Sequence, residues 1–145
     1  MKKDCEQKLK KLTNKKEIFF TNRGNTSILL ALKLAKSLGK TKAFIQDQGG
    51  WITYDQYLKK LKFDFDYLES DYGLLTLTTI KKHVDSDSVL LINSMAGYIA
   101  QHENIDRISE ICKEKGCLLV NDVSASIGTK YAKYGDIIIG SFGRW

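Results

Sequence analysis

Apolar positions along this chain fall into short unbroken runs separated by stretches of helical spacing. The runs Ile18–Thr21 (IFFT), Ala43–Ile45, Lys62–Phe65, Ser88–Ile92 (SVLLI), Cys117–Val120 (CLLV) and Gly135–Gly140 (GDIIIG) predict strands. Between them, Thr26–Leu38 predicts a helix that is apolar around most of its circumference and therefore buried, with Gly39 suited to its C-terminal cap. Thr53–Leu61 and Leu75–Val84 also read as helices. Asn104–Lys115 places Ile105, Ile108 and Cys112 on one face, carries Lys113 and Lys115 in its last turn, and ends before Gly116.

Strands that are apolar throughout, without alternation, imply a sheet covered on both faces. Helices between them imply right-handed crossovers and a mainly parallel sheet. The expected fold class is α/β, a three-layer α/β/α domain. No proline, repeat or low-complexity run interrupts it.

Length and charge refine this picture. A chain of 145 residues is enough for one domain with a sizeable core. The net charge is +6, but residues 1–16 hold seven lysines against Asp4 and Glu6, so the remainder is close to neutral. We read residues 1–16 as a solvated basic helix anchored by Leu9 and Leu12, and 17–145 as the domain. The run contains no arginine and no interleaved aromatic residue, which argues against a nucleic-acid arm. No window approaches the roughly 20 apolar residues of a membrane span, and the N-terminus has no apolar core of a secretory signal. The expectation is a cytoplasmic protein with no nucleic-acid or membrane partner. Cys5, Cys112 and Cys117 lack the spacing of a zinc site or disulfide framework, and Cys112 and Cys117 read as small buried apolar residues. His83 and His102 read as isolated surface residues, and no metal is expected.

In an open parallel sheet, ligands bind beyond the carboxyl ends of the strands. Four groups fall at such ends. Arg23-Gly24-Asn25-Thr26 enters the first domain helix, whose free amides and dipole favour a phosphate; the plain alternative is an Asn/Thr cap. Gln48-Gly49-Gly50-Trp51 makes a tight loop followed by an aromatic that can stack on a flat ligand or plug the core edge. Asn121-Asp122-Val123-Ser124 puts a carboxylate directly after an apolar strand, costly to bury without a partner. With no histidine or carboxylate cluster beside it, a cationic ligand nitrogen gains as its partner over a metal or a histidine; the plain alternative is an aspartate capping the following turn. Ser141 follows GDIIIG, where its hydroxyl can donate to phosphate or simply serve a turn.

Taken in order, these groups resemble fold-type-I pyridoxal-phosphate enzymes of the DegT/StrS sugar-aminotransferase kind, from about Thr21 to Trp145. The family's small-residue turn into a helix is similar to Gly24-Asn25-Thr26-Ser27-Ile28-Leu29-Leu30-Ala31-Leu32. Its ring-stacking aromatic is similar to Trp51. Its strand, glycine loop and helix match Leu90–Lys115. Its Glu-Asp-Ala-Ala run matches Asn121-Asp122-Val123-Ser124, and its Gly-Asp…Ser-Phe segment matches Gly135-Asp136…Ser141-Phe142-Gly143-Arg144-Trp145.

The resemblance implies pyridoxal phosphate as cofactor, bound through the amides of Gly24 and Asn25, the helix start at Thr26, and Ser141. It implies Trp51 over the ring and Asp122 on the pyridine nitrogen as the catalytic carboxylate. The cofactor-linking lysine is expected directly after Trp145, so the chain reads as the incomplete large domain of a longer enzyme. Two positions depart from the family. The residue that often contacts the cofactor's phenolic oxygen is Ala125 here, leaving Asn93, Ser124 and Ser126 as unresolved substitutes. The segment between Gly128 and Gly135 is also short.

The expected function is transfer of an amino group from an amino acid to a keto, including keto-sugar, acceptor by a homodimer. The alternatives are a lyase of the cysteine-desulfurase or selenotransferase kind, a catalytically inactive regulatory relative, and a generic nucleotide-binding module. The last ranks lowest, because neither G-x-G-x-x-G nor a Walker motif is present.

Overall fold

The structure, a computed structural model, describes residues 2–93 and 102–143. Helix α1 spans Lys2–Thr13 and α2 spans Gly24–Ser37. Strand β1 (Lys42–Gln46), helix α3 (Thr53–Lys60) and strand β2 (Asp64–Leu68) follow. Next come α4 (Leu77–His83), β3 (Ser88–Asn93), α5 (Ile105–Lys115), β4 (Leu118–Asp122), a 3₁₀ turn at Lys130–Lys133 and β5 (Ile137–Ile139).

All strand pairs are parallel, in the order β2-β1-β3-β4-β5. The chain runs outward from β1 to β2, then returns past β1 to β3 and continues the other way. The β1/β3 boundary is therefore the topological switch point, where the crossover connections diverge and leave a crevice at the carboxyl ends.

Strand parity sorts the core into two halves. Val89 and Leu91 of β3, with Val120 of β4, pack against Ile28, Leu32 and Ala35 of α2 and Tyr54 and Leu58 of α3. Leu90, Ile92 and Leu119 face Ile80 of α4 and Ile105, Ile108 and Ile111 of α5. Every β3 residue from Ser88 to Ile92 is buried, as a strand covered on both faces requires. Each such large aliphatic side chain contributes about 1.5–3 kcal/mol of burial energy. The expected three-layer architecture is thus the observed one.

Several local expectations are corrected. Ile18–Thr21 is not a strand. It runs without a ladder partner among the described residues, and an unpaired segment leaves its backbone groups to water. Phe19 and Phe20 stay exposed and, with Leu30 and Leu34, line a groove of about 800 Å³ between this segment, α2 and β5. For the same reason α2 is not buried all round, since Leu30, Leu34 and Leu38 are exposed.

The strand expected at Lys62–Phe65 begins at Asp64. Lys62 adopts φ 55° and the Phe63 amide still bonds to Leu58 O, so these residues terminate α3. In the N-terminal helix only Leu9 of the two expected anchors is buried; Leu12 is 39% exposed.

His102 is not a surface residue. It is 3% exposed, and its Nε2 accepts the Leu75 amide at 3.2 Å, supplying a buried N–H with an acceptor. His83 is half-buried, edge-on to Phe44, and hydrogen-bonded through Nδ1 to Thr79 O. Gly39 and Gly116 end α2 and α5 with positive φ, as their sequence positions suggest, and Cys112 and Cys117 are buried. The glycine loop after β3, and Arg144 and Trp145, lie outside the described residues.

Candidate active site

The carboxyl ends of β1, β3 and β4 carry Gln46, Asn93 and Asp122. In register, Asn93 lies opposite Asp122. Both share strand parity with Val89, Leu91 and Val120, so they project on the α2/α3 side of the sheet. Gln46 has the opposite parity and ties the switch point together: its Oε1 accepts the Asn93 amide at 2.9 Å, and its Nε2 donates to Gln48 O and Gly73 O.

Asp122 is only 7% exposed and well partnered. Its Oδ1 accepts from the Ser124 amide at 3.0 Å and the Ser124 hydroxyl at 2.6 Å. Its Oδ2 accepts from the Tyr54 hydroxyl at 2.7 Å. Tyr54 is itself buried, and desolvation, reinforced by the carboxylate beside it, pushes its phenol well above the usual range. It therefore stays protonated and remains a donor at neutral pH.

The sequence reading missed Tyr54. The signal was available in the spacing Tyr54–Leu58, four residues apart on the inward face of α3. What the sequence could not supply was the distance to a carboxylate 68 positions away.

The loop after β1 brings Trp51 back to the start of α2. Its indole Nε1 donates to Asn25 Oδ1 at 2.8 Å, and the Thr53 hydroxyl reaches the same oxygen at 3.5 Å. Trp51 is 42% exposed, so it is not a plug of the core edge. Asn93 Nδ2 donates to Gly49 O at 2.8 Å, fixing the same loop from the sheet side. The side-chain oxygen of Asn93 is buried and has no partner among the described residues.

Helix α2 opens without a side-chain cap. Its N-cap is Arg23, in extended conformation, which contributes no side-chain bond. The Thr26 and Ser27 amides bond to Arg23 O, while those of Gly24 and Asn25 have no partner among the described residues. The Asn25 side chain is engaged with Trp51, and the Thr26 hydroxyl turns away to Asn22 Oδ1. Ser141 stands against this turn: a Cβ at Gly24 would lie 3.1 Å from Ser141 Cβ and 3.2 Å from its Oγ.

The predicted residues thus form a chain of neighbours. Ser141 abuts Gly24, Asn25 holds Trp51, α3 leads from Thr53 to Tyr54, and Tyr54 reaches Asp122, with Ser124 behind it and Asn93 alongside. Two predicted side chains point elsewhere: the Thr26 hydroxyl bonds outward, and the Ser124 hydroxyl is consumed by Asp122. Ser126 is buried with no partner for its hydroxyl among the described residues, and Ala125 is exposed.

Comparisons with known proteins bear on the fold and the family of this chain. The model of the DegT/DnrJ/EryC1/StrS aminotransferase family matches residues 2–144. Among solved structures, 3-amino-5-hydroxybenzoic acid synthase superimposes with TM-score 0.77 at 18% identity, covering 97% of this chain and 38% of its own. The apo cysteine desulfurase of Thermococcus onnurineus NA1 gives TM-score 0.75 at 18% identity, with 95% and 38% covered. Ureidoglycine-glyoxylate aminotransferase from Bacillus subtilis gives 0.72 at 17% identity, with 95% and 38% covered. At such identities the likeness is one of fold, and the chain spans well under half the length of these proteins. No curated protein matches by sequence alone. The family match extends over nearly the whole chain, and the chain belongs to the DegT/DnrJ/EryC1/StrS aminotransferase family.

Proposed function

We propose that this chain forms the cofactor-binding part of a pyridoxal-phosphate-dependent aminotransferase, which moves an amino group from an amino acid to a keto or keto-sugar acceptor. The observation that carries the reading is the buried Asp122 carboxylate at the end of β4, one strand from the switch point, joined through Tyr54 and α3 to the Trp51 loop and through Asn25 to the open start of α2. A flat, phosphorylated, cationic heterocycle needs those three features together.

Two local observations support the fit. Gly24 leaves beside Ser141 a space that any Cβ would crowd, next to two unpartnered amides. Among the described residues, Asn93 keeps a buried acceptor without a partner beside Asp122, in a site where a ligand donor would complete it.

When bound, pyridoxal phosphate supplies an electron sink for cleavage at the amino-acid Cα. Asp122 would hold the proton on the ring nitrogen through a charge-assisted hydrogen bond in a dry setting. Gly24 and Asn25 amides, with the α2 dipole and the Ser141 hydroxyl, would hold the phosphate. Trp51, clamped by Asn25, would cover the ring and exclude water. Of the candidates near the phenolic oxygen, Asn93 and Ser126 remain, because Ser124 is committed to Asp122. The resemblance extends this proposal to a cytoplasmic homodimer.

The test uses the protein that contains this chain. It should be yellow when purified, and borohydride should remove the colour. Asp122→Ala should abolish amino transfer and weaken cofactor retention. A colourless protein that takes up no pyridoxal phosphate, or an Asp122→Ala variant with wild-type turnover, would refute the reading.

A further inference from the structure

The hydrogen bonds around Asp122 leave it with an unequal pair of oxygens. An ionised carboxylate offers about four acceptor positions, two on each oxygen. On Oδ1 the Ser124 amide and hydroxyl fill both. On Oδ2 the Tyr54 hydroxyl fills one. Among the described residues, the remaining acceptor position is therefore on the oxygen that Tyr54 holds. Rotation of the carboxylate would have to break bonds on both sides at once. Ser124 and its amide move with the same strand end as Asp122, two residues away. Tyr54 belongs to a different element, α3, and is the described residue that ties the carboxylate to the helix layer packed on this face of the sheet. The phenol is buried and held in its protonated form, so the lock persists across the neutral pH range.

We propose that Tyr54 is a positioning residue, whose hydroxyl sets the rotation of the Asp122 carboxylate so that its one open acceptor position on Oδ2 meets the ring nitrogen of the cofactor. This rests on the reading of Asp122 given above, and goes beyond it by assigning the direction of the carboxylate to a residue of α3. The same helix begins at Thr53, beside the Trp51–Asn25 clamp. The carboxylate at the ring nitrogen and the indole over the ring face are thereby referenced to one rigid element.

The experiment compares two ligands on wild-type protein and on Tyr54→Phe: pyridoxal phosphate, and its analogue with the ring nitrogen replaced by C–H. Affinities are read by equilibrium dialysis. Wild type should prefer the nitrogen-containing ligand. Tyr54→Phe should shrink that preference roughly tenfold, the scale of one hydrogen bond to a charged group, while leaving affinity for the carbon analogue unchanged. The preference is a ratio taken on one folded population, so partial unfolding of the variant cancels. Equal weakening toward both ligands would mean that Tyr54 only supports the fold, and an unaltered preference would mean that Asp122 needs no lock; either overturns the proposal. If wild type itself does not discriminate, the pairing of Asp122 with the ring nitrogen fails first, and that result is reached without any Tyr54 variant.

Discussion

The indole Nε1 of Trp51 donates to the side-chain oxygen of Asn25 at 2.8 Å, so the aromatic at the mouth of the site is fastened to the second residue of helix α2. One asparagine thus serves two ends of the site: its backbone N–H faces the helix terminus and its side chain orients the ring. Asn25→Ala keeps the amide and removes the clamp. Affinity for pyridoxal phosphate should fall about five- to tenfold, the scale of one neutral hydrogen bond. Phosphate competition should be unchanged. Titration followed by the cofactor's absorbance checks both, and parallel losses would mean that the side chain acts at the phosphate instead.

Gly24 sits where a side chain would collide with Ser141. Gly24→Ala should destabilise the chain by about 1 kcal/mol, the low end of overpacking costs. Cofactor affinity should fall more than stability does, because the α2 terminus is displaced from the phosphate. Urea unfolding combined with cofactor titration separates the two effects. A Gly24→Ala protein with full cofactor affinity would show that this turn is not the phosphate site.

Burial lowers the pKa of His102 to about 4, and its Nε2 accepts the Leu75 amide, so the folded protein holds this ring neutral. An unfolded histidine titrates near 6.5. Between those values the unfolded chain binds more protons, so stability rises with pH through this window and is fully present above it. From neutral pH down to about pH 4, the loss from this residue should be on the order of 3 kcal/mol. Urea midpoints should fall steeply from pH 7 down to pH 4 in wild type and distinctly less in His102→Gln. Equal slopes in the two proteins would show that other groups carry the acid sensitivity.

The layering and the parallel sheet follow from features that act locally. Unbroken apolar runs such as Ser88–Ile92 and Leu118–Val120 can only be satisfied by cover on both faces, and Gly39 and Gly116 end their helices with a positive φ that glycine adopts freely. The candidate groups at the strand ends were legible for the same reason, since a carboxylate following an apolar strand is costly unless it has a partner. Ile18–Thr21 was misread because strand character needs a neighbour to pair with, and composition cannot supply one. His102 was misread because its burial depends on an unpaired amide at Leu75, distant in sequence.

Residue order alone therefore determined the architecture and the chemistry available at the strand ends. Which groups meet was decided by the tertiary structure. Tyr54 reaches Asp122, and Asn25 reaches Trp51, across separations of 68 and 26 residues. Local propensity acts over a few neighbours along the chain, whereas a hydrogen bond forms only when the packing of α2 and α3 on the sheet brings donor and acceptor within about 3 Å.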